Sequence, residues 1–408
     1  PALAARLLAC AGSGGSALRA GILKVLKEAH ARGRAGIRRR FEATRDGMEA
    51  ARSAAFLMDQ LIRVIYDDAT LRAYPAANPT VGERLCVAAV GGYGRGELAP
   101  QSDIDLLFVL PYKETPRQEQ VIEYVLYFLW DLGLKVGHAT RSLDDCIRSS
   151  RDDATIRTAI LEARYLWGDK ALFRDLTERF EREVCLGTGT EFVDAKLAER
   201  DERHLRLGDS RYVLEPNVKD GKGGLRDLHT LFWIAKDLYR VEEMADLVER
   251  GVLTPQEVRR FDKAKRFLWS VRVQLHYLAG RGEDRLTFDR QPELATAFGY
   301  RDRDRMRGVE RFMKHYYLVA KEVGDLTRIF CAALEAEHRR KPRFSFSFLP
   351  MFERSADGFP LESGRLSIGG GDPFDKDPLA VLRLFHTAQK RDLDIHPRAL
   401  RAVTRSLR

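Results

Sequence analysis

Residues 87–110 read VAAVGGYGRGELAPQSDIDLLFVL, with Gly91 and Gly92 in front and Asp103 and Asp105 behind. The apolar runs at both ends are short and continuous, which predicts two buried strands. Side chains alternate along a strand, so the two carboxylates of the D-x-D step point to the same face. Two buried like charges are costly unless a cation neutralises them. The stretch therefore predicts a charged site at the mouth of a strand.

The same residue types suggest what that site binds. Hard oxygen ligands suit Mg²⁺, so Asp103 and Asp105 are the candidate metal ligands. Gly91 and Gly92 end the first strand in a turn whose N–H groups can face a phosphate chain. Arg95 could add a charged donor, and together these residues describe a site for a nucleoside triphosphate with a metal. The glycines are spaced neither as a dinucleotide fingerprint nor as a P-loop, and a lone D-x-D often only caps a turn, but the combination between two strands favours function.

The sequence around this stretch predicts a small mixed α/β domain at residues 75–150. Strands are expected at 85–90 and 104–110, an amphipathic helix at 117–134 and a third strand at 135–141. The remaining chain has apolar residues at helical spacing. This spacing predicts an N-terminal helical segment at 1–74 and a helical domain at 151–337. Within that domain, the helical pattern is continuous over 153–208. Residues 338–408 are expected to begin a further region.

Composition excludes several functional classes. The chain has 408 residues, of which 44% are apolar and 32% charged, as in an ordinary globular protein of about two or three domains. No apolar run approaches the roughly 18 residues of a membrane span, so no membrane partner is expected. The net charge of +9 is dilute and forms no basic stripe with aromatics, which argues against nucleic acid and allows an anionic ligand.

The cysteines and the N-terminus bear on location. Five cysteines are scattered without a C-x-x-C pair, which favours a reducing cytosol and predicts a cytoplasmic protein. The run LLAC, ending at Cys10, resembles a lipoprotein cleavage site, but Arg6 interrupts its apolar core. We therefore expect the chain to begin inside an N-terminal helix.

A second motif, YVLEPNVKDGKGGLRD at 212–227, interrupts the helical region. One interpretation is an interdomain loop in which Asp227 caps the following helix. The other is a second wall of the nucleotide site, with Asn217 reading base or ribose. The residues that bring glycine freedom and positive charge to this loop are Lys219, Gly221, Lys222, Gly223, Gly224 and Arg226. Both interpretations remain open from the sequence.

Four longer strings are similar to one family. They are VGGYGRGELAPQSDIDLLFVL, LWDLGLKVGHATRSLDDC, LEPNVKDGKGGLRDLHTLFWIAK and DRLTFDRQPELA. They resemble, in the same order, the bifunctional uridylyltransferase/uridylyl-removing enzymes of nitrogen signalling, which act on the regulatory protein PII. The GG…D-x-D pattern also resembles nucleotidyltransferases of the DNA polymerase β type. The resemblance runs from about residue 35 to the end and implies an α+β fold with a polymerase-β-like domain.

The resemblance also implies an activity. It is the transfer of UMP from UTP to a tyrosine hydroxyl of PII with release of pyrophosphate, in which Asp103 and Asp105 hold Mg²⁺. Gly91, Gly92, Arg95, Ser102, Lys219, Lys222 and Arg226 are the corresponding nucleotide-binding candidates. The family continues into a hydrolase domain of the HD type and two ACT domains, and we expect this chain to stop before them. His386 and His396 form no adjacent His-Asp dyad, so uridylyl removal is not expected.

Two questions stay open at this stage. Such sites usually have a third carboxylate, and the sequence does not choose among Asp131, Asp144 and Glu162, or decide whether His138 is the general base. The alternatives in function are transfer of another nucleotide or to another acceptor, such as protein adenylylation, and a non-catalytic nucleotide-binding regulator. An assay with each nucleotide separates these possibilities.

Overall fold

The computed structural model describes the chain in two compact units, residues 1–241 with 265–317 and residues 242–264 with 318–408. The residues described are 15–76, 80–208, 210–303, 305–338, 355–362, 365–368, 373–374, 377–391, 393 and 395–406. The stretch around Cys10 lies outside these residues. Within them, no helix combines the length and the apolar character that crossing a membrane requires.

The first unit begins with two long helices, α1 (Gly15–Thr44) and α2 (Gly47–Asp68). Between them, Asp46 caps α2 by accepting hydrogen bonds from the backbone N–H groups of Met48 and Glu49, each at 3.0 Å. Apolar residues of α2 recur every three or four positions and are buried, so this helix has one face for the core. The described residues at the start of this unit are therefore mostly helical.

The next elements in the chain correspond to the predicted strands and helix. They are β1 (Cys86–Ala89), the short helix α3 (Gly91–Gly94), β2 (Ile104–Leu110), α4 (Pro116–Asp131) and β3 (Val136–Ser142). Strand β2 pairs antiparallel with β1 and parallel with β3. The parallel pair needs a crossover connection, which α4 supplies.

One element differs from the prediction of continuous helix over 153–208. After α5 (Leu143–Asp152) and α6 (Ala154–Leu161), residues Arg164–Gly168 form strand β4. It pairs antiparallel with β1, so the sheet has four strands in the order β3-β2-β1-β4 and continues past residue 150. The segment RYLWG is short and apolar, and pairing with the open edge of β1 outweighs the helical pattern of its neighbours.

The other elements of the chain are mostly helices. They are α7 (Lys170–Phe180), α8 (Gly189–Arg206), α9 (Leu225–Tyr239), α10 (Asp246–Glu249), α11 (Pro255–Ala279), α12 (Arg290–Ala297), α13 (Gly308–His338), then strands β5 (Ser355–Ala356), β6 (Phe359–Glu362) and β7 (Arg365–Leu366), and helices α14 (Leu379–Arg391) and α15 (Pro397–Ser406). Strands β5, β6 and β7 form a small antiparallel sheet in the second unit.

The two faces of the four-stranded sheet bury different residues. Leu106 and Phe108 of β2 pack with residues of α1, α2 and α4 in one apolar cluster. Leu107 and Val109 face the other way and pack with residues of α5, α6, α7 and α9, including Trp233. Because side chains alternate, Asp103 and Asp105 belong to the face of Leu107, toward α9. The sheet thus directs both carboxylates to the side of Trp233.

Candidate active site

The turn after β1 lies directly beside Asp105. Gly91 adopts φ +59°, a conformation that L side chains rarely take. The backbone N–H of Val90 donates to the carbonyl of Asp105 over 3.1 Å, which joins the start of the turn to the start of β2. A Cβ on Gly91 would lie 3.4 Å from Asp105 Oδ2, so glycine leaves the space in front of this carboxylate open.

A second glycine lies on the other side of the Asp105 carboxylate. In the parallel pairing of β2 with β3, Asp105 lies opposite Gly137. A Cβ on Gly137 would lie 2.5 Å from Asp105 Oδ1, closer than real Cβ atoms approach. The carboxylate therefore occupies a space that only glycine at position 137 provides. No motif in the sequence pointed to Gly137; the register of the two strands identifies it.

The two carboxylates of the D-x-D step are not neutralised. Among the residues that the structure describes, neither Asp103 nor Asp105 forms an ion pair. Asp103 is exposed and Asp105 is half-buried. Burial and the neighbouring Asp103 raise the pKa of Asp105, against the opposing effect of Lys219. Both groups thus create a negative potential that favours a cation.

The donor set fits a magnesium ion that shares its ligands with a substrate. No group of three or more His, Cys, Asp or Glu side chains that could hold a metal occurs in the described part of the chain. Mg²⁺ is commonly held by one or two carboxylates together with substrate phosphates, rather than by a cage of protein ligands. Asp103 and Asp105 supply the protein share of such a site.

A polar cleft of about 600 Å³ opens beside Gly91. Its walls come from α6, α8, α9 and the loop before α9, within the first unit. It is lined by Gly91, Thr155, Thr158, Ala159, Glu162, Lys196, Glu199, Arg203, Arg206, Leu207, Asp220, Arg226 and Trp233. The four cations and three carboxylates of this lining give it a slight positive balance.

Lys196 and Trp233 are cleft residues that the sequence did not identify. The ammonium of Lys196 is buried, donates to Thr158 Oγ1 over 3.1 Å and lies 4.7 Å from the centre of the Trp233 ring. Arg226 lies 5.5 Å from the same ring. Both residues sit within ordinary amphipathic helices, where a single lysine or tryptophan gives no recognisable signal.

The glycine-rich loop before α9 contacts α8 and also lines the cleft. Asp227 accepts hydrogen bonds from Arg203, His204 and the N–H of Gly223, so it ties the start of α9 to α8. Asp220 of the same loop lines the cleft. The loop is therefore a structural junction and a cleft wall.

The predicted side chains of this loop differ in position. Asn217 uses its amide oxygen inside the loop, accepting from the N–H groups of Lys219 and Asp220, so this oxygen is occupied by the turn. Lys219 is half-buried and forms no ion pair in the described part of the chain. Arg226 lines the cleft and pairs with Asp220 at 3.2 Å, whereas Lys222 is not among the lining residues.

Two other nucleotide-binding candidates lie in unexpected surroundings. The guanidinium of Arg95 is buried between the carboxylates of Glu97 and Glu162. Ser102 lines a separate cavity of about 60 Å³, together with residues of α1, α2 and Tyr277. The structure thus brings Gly91 and Arg226 to the cleft and does not bring Ser102 there.

The candidates for a third carboxylate can now be separated. Asp131 and Asp144 each pair with an arginine at 2.8 Å on exposed surface. Glu162 is buried and lines the cleft, but Arg95 and Trp233 occupy its carboxylate. His138 lies opposite Leu106 in the register and contacts the Trp130 ring, so it faces away from Asp105. None of these four groups faces the two carboxylates as a free base.

Known protein families match two segments of the chain. The model of the nucleotidyltransferase domain matches residues 81–164, which include the turn, both aspartates and the sheet as far as the start of β4. The model described as GlnD PII-uridylyltransferase matches residues 191–331. The α+β nucleotidyltransferase fold predicted from the sequence is confirmed.

Two curated relatives match almost the whole chain. The bifunctional uridylyltransferase/uridylyl-removing enzyme of Azospirillum brasilense is 60% identical over 395 residues, which is 96% of this chain and 42% of the relative. The same-named enzyme of Rhodospirillum rubrum is 59% identical over 390 residues, 95% of this chain and 42% of the relative. The chain corresponds to the N-terminal part of these enzymes. The resemblance found in the sequence is thereby confirmed, for a chain that spans about two fifths of the length of its relatives.

Proposed function

We propose that this chain transfers UMP from UTP to a tyrosine hydroxyl of PII, releases pyrophosphate and depends on Mg²⁺. The observation that carries the proposal is the pair of unneutralised carboxylates, Asp103 and Asp105, beside a glycine turn that opens onto a polar cleft. An acidic group beside a cleft, with a pKa shifted by burial and by a neighbouring charge, is a candidate for a functional site. The similarity to uridylyltransferases supplies the reaction class.

Asp103 and Asp105 would hold the magnesium ion. When bound, the ion neutralises charge on the phosphates and so lowers the barrier to transfer. Gly137 and Gly91 keep the Asp105 carboxylate free of side chains on either side. The contribution of the chain is to hold two oxygen ligands in fixed places before substrate arrives.

The triphosphate would lie between the Gly91–Gly92 turn and the loop before α9. Lys219 suits this role because it is a half-buried cation that forms no ion pair in the described part, and its charge acts on Asp105. Lys222 and Arg226 of the same loop are further candidates for phosphate contacts. We propose the cleft lined by Trp233 for the nucleoside, because it adjoins Gly91 and has room for it.

The reaction balances as a simple displacement. The tyrosine oxygen attacks the α-phosphorus of UTP, a new P–O bond forms and the bond to the bridging oxygen of the β-phosphate breaks. Pyrophosphate leaves with that electron pair, and the hydroxyl proton is released. Positioning and charge neutralisation supply the catalysis, as in other phosphoryl and nucleotidyl transfers.

The remaining parts of the proposal concern setting and limits. We propose that the reaction reports nitrogen status in the cytoplasm, where the buried free thiols of Cys86, Cys146 and Cys185 would stay reduced. We propose no uridylyl removal for this chain, since His386 is an exposed residue of α14 without an adjacent aspartate.

The test is a labelling experiment with each nucleotide. The chain is incubated with Mg²⁺, PII and α-labelled UTP, ATP, GTP or CTP in turn, and label on PII tyrosine is counted. The proposal expects labelling from UTP that needs both Mg²⁺ and PII. Labelling from ATP and not UTP would establish adenylylation, and UTP binding without labelling would support a regulator that does no chemistry.

A further inference from the structure

A buried group of charges packs against the glycine turn. Arg95 Nε is 3.2 Å from Glu97 Oε2, and Arg95 Nη1 is 2.5 Å from Glu162 Oε1. The side chains of Arg95, Glu97 and Glu162 are only 9%, 4% and 2% exposed. One guanidinium thus bridges two carboxylates that water hardly reaches.

The bridge continues into two helices that follow later in the chain. Lys265 Nζ of α11 lies 2.5 Å from Glu97 Oε1, and the indole N–H of Trp233 of α9 donates to Glu162. Two cations therefore balance two carboxylates. Burial alone would raise the pKa of Glu97, but its cationic neighbours Lys265 and Arg95 help to hold that pKa well below its ordinary value.

His229 completes the group without adding charge. Its Nε2 lies 3.6 Å from Glu97, beyond hydrogen-bond distance, and neither ring nitrogen has a partner in the described part of the chain. Burial, and then the neighbouring Arg95, lowers the pKa of His229 well below its ordinary value. The ring is therefore neutral, and the charge balance depends on Arg95 and Lys265.

The turn rests directly on this group. The N–H of Glu97 donates to the carbonyl of Gly92 over 3.0 Å. A Cβ on Gly92 would lie 3.3 Å from the carbonyl oxygen of Glu97 and 3.5 Å from Arg95 Nη2. A Cβ on Gly94 would clash with the carbonyl oxygen of Glu162. The backbone of the turn is thus held by contacts with Arg95 and its two carboxylate partners.

We infer that Arg95 is a positioning residue that fixes the Gly91–Gly92 turn through Glu97 and Glu162 and does not itself bind phosphate. The inference rests on the proposed function, because it concerns the same nucleotide site. Its basis is that the guanidinium is committed to two buried carboxylates whose backbone packs against the turn. Glu162, which lines the cleft and holds Trp233, joins the turn to the proposed nucleoside pocket.

The test compares Arg95→Met, Glu162→Gln and the double variant in UTP binding and in transfer. A shared positioning role predicts that each single change raises the Kd and KM for UTP about tenfold. It also predicts that the Kd of the double variant is no higher than that of the single variant with the higher Kd. A direct phosphate contact predicts a large effect of Arg95→Met, a negligible effect of Glu162→Gln and additive losses. That second pattern would overturn the inference.

Arg95→Lys sharpens the distinction. A single ammonium cannot reproduce the two-sided guanidinium bridge, so positioning predicts no rescue relative to Arg95→Met. A phosphate contact would be largely restored by lysine, which would contradict the inference. Should Arg95→Met fail to fold, the near-isosteric Glu162→Gln decides alone: an unchanged Kd for UTP would overturn the inference.

Arg157→Lys is the matched control. Arg157 forms a similarly buried pair with Asp237, at 2.8 Å, and is not a residue of the cleft lining. It should lose thermal stability while the Kd for UTP stays near that of the wild type. Binding is measured calorimetrically without PII, so a wild-type chain that binds UTP but transfers nothing refutes the proposed function and still tests Arg95. A wild-type chain that does not bind UTP overturns both.

Discussion

Two groups of charged side chains lie next to the same glycine turn and have opposite electrostatic states. Asp103 and Asp105 form no ion pair in the described part of the chain, and the pKa of Asp105 is raised. The second group, formed by Arg95, Lys265, Glu97 and Glu162, is more deeply buried, and its two cations pair with its two carboxylates. The more buried group is thus the one without net charge.

The contrast separates structural from functional charge. A buried, balanced network is costly to break, and its ions are already satisfied by one another. A partly exposed pair of like charges costs stability and is retained where a ligand neutralises it. By this criterion Arg95 has a structural role next to the site, although its place in the motif suggested that it contacts phosphate.

The largest expected effect comes from removing charge from the D-x-D step. Asp105→Asn should lower UMP transfer by about 10³-fold or more, because a metal ligand is lost. Since burial and Asp103 raise the pKa of Asp105, its charge opposes folding at neutral pH, and the variant should melt no lower than the wild type. Transfer rates and thermal melts measure both effects.

Asp131→Asn is the control for this change. Asp131 makes an exposed pair with Arg19, so its loss should leave transfer unchanged. Full activity of Asp105→Asn would show that Asp105 is not a required metal ligand.

Removing charge from the buried group around Arg95 should mainly affect stability. Glu97→Gln leaves Arg95 and Lys265 with too little negative charge, which should destabilise the fold by about 3 kcal/mol in urea unfolding at pH 7. The folded-state pKa of Glu97 lies below its ordinary value of 4.5, so its stabilising contribution is present above that pH and is lost on acidification. The difference between variant and wild type should therefore shrink below pH 4.5. A difference that grows in acid would contradict this explanation.

A steric change in β3, beside the Asp105 carboxylate, should have an intermediate effect. Gly137→Ala places a Cβ 2.5 Å from the present position of Asp105 Oδ1, so the carboxylate must move. Displacements of this size in a catalytic group cost about 10²-fold in rate. Gly36→Ala is the matched control, because a Cβ there meets no atom within 4 Å. Equal transfer rates for the two alanine variants would show that the position of Asp105 is not critical.

The smallest effect is expected for an exposed ion pair. Arg38 and Glu42 are one helical turn apart, pair at 2.8 Å and are each about half exposed. Glu42→Gln should change the free energy of unfolding by less than about 0.5 kcal/mol. A loss comparable with that of Glu97→Gln would show that burial does not separate the two kinds of pair.

The sequence predicted the elements that have a local pattern. The strand of Ile104–Leu110 was predicted from a continuous apolar run, and the helix after Pro116 from apolar residues at helical spacing. Strand β4 was missed, because its five residues owe their conformation to the open edge of β1. Long-range pairing of this kind leaves no local signal.

The same distinction holds for the site. The two carboxylates and the two glycines belong to one short stretch of sequence. By contrast, strand register and helix packing bring Gly137, Lys196 and Trp233 to the site. The role of Arg95 could not be predicted either, because its partner Glu162 is 67 residues away in the chain.

The central claim is that Asp103 and Asp105 hold a divalent ion together with a nucleotide. Mn²⁺ suits carboxylate ligands and is visible by electron paramagnetic resonance, so it can replace Mg²⁺ as a probe. Titration of the chain with Mn²⁺, with and without UTP, should show tight binding that requires UTP and is lost in Asp105→Asn. Equal, UTP-dependent binding of Mn²⁺ by the wild type and by Asp105→Asn would contradict the claim.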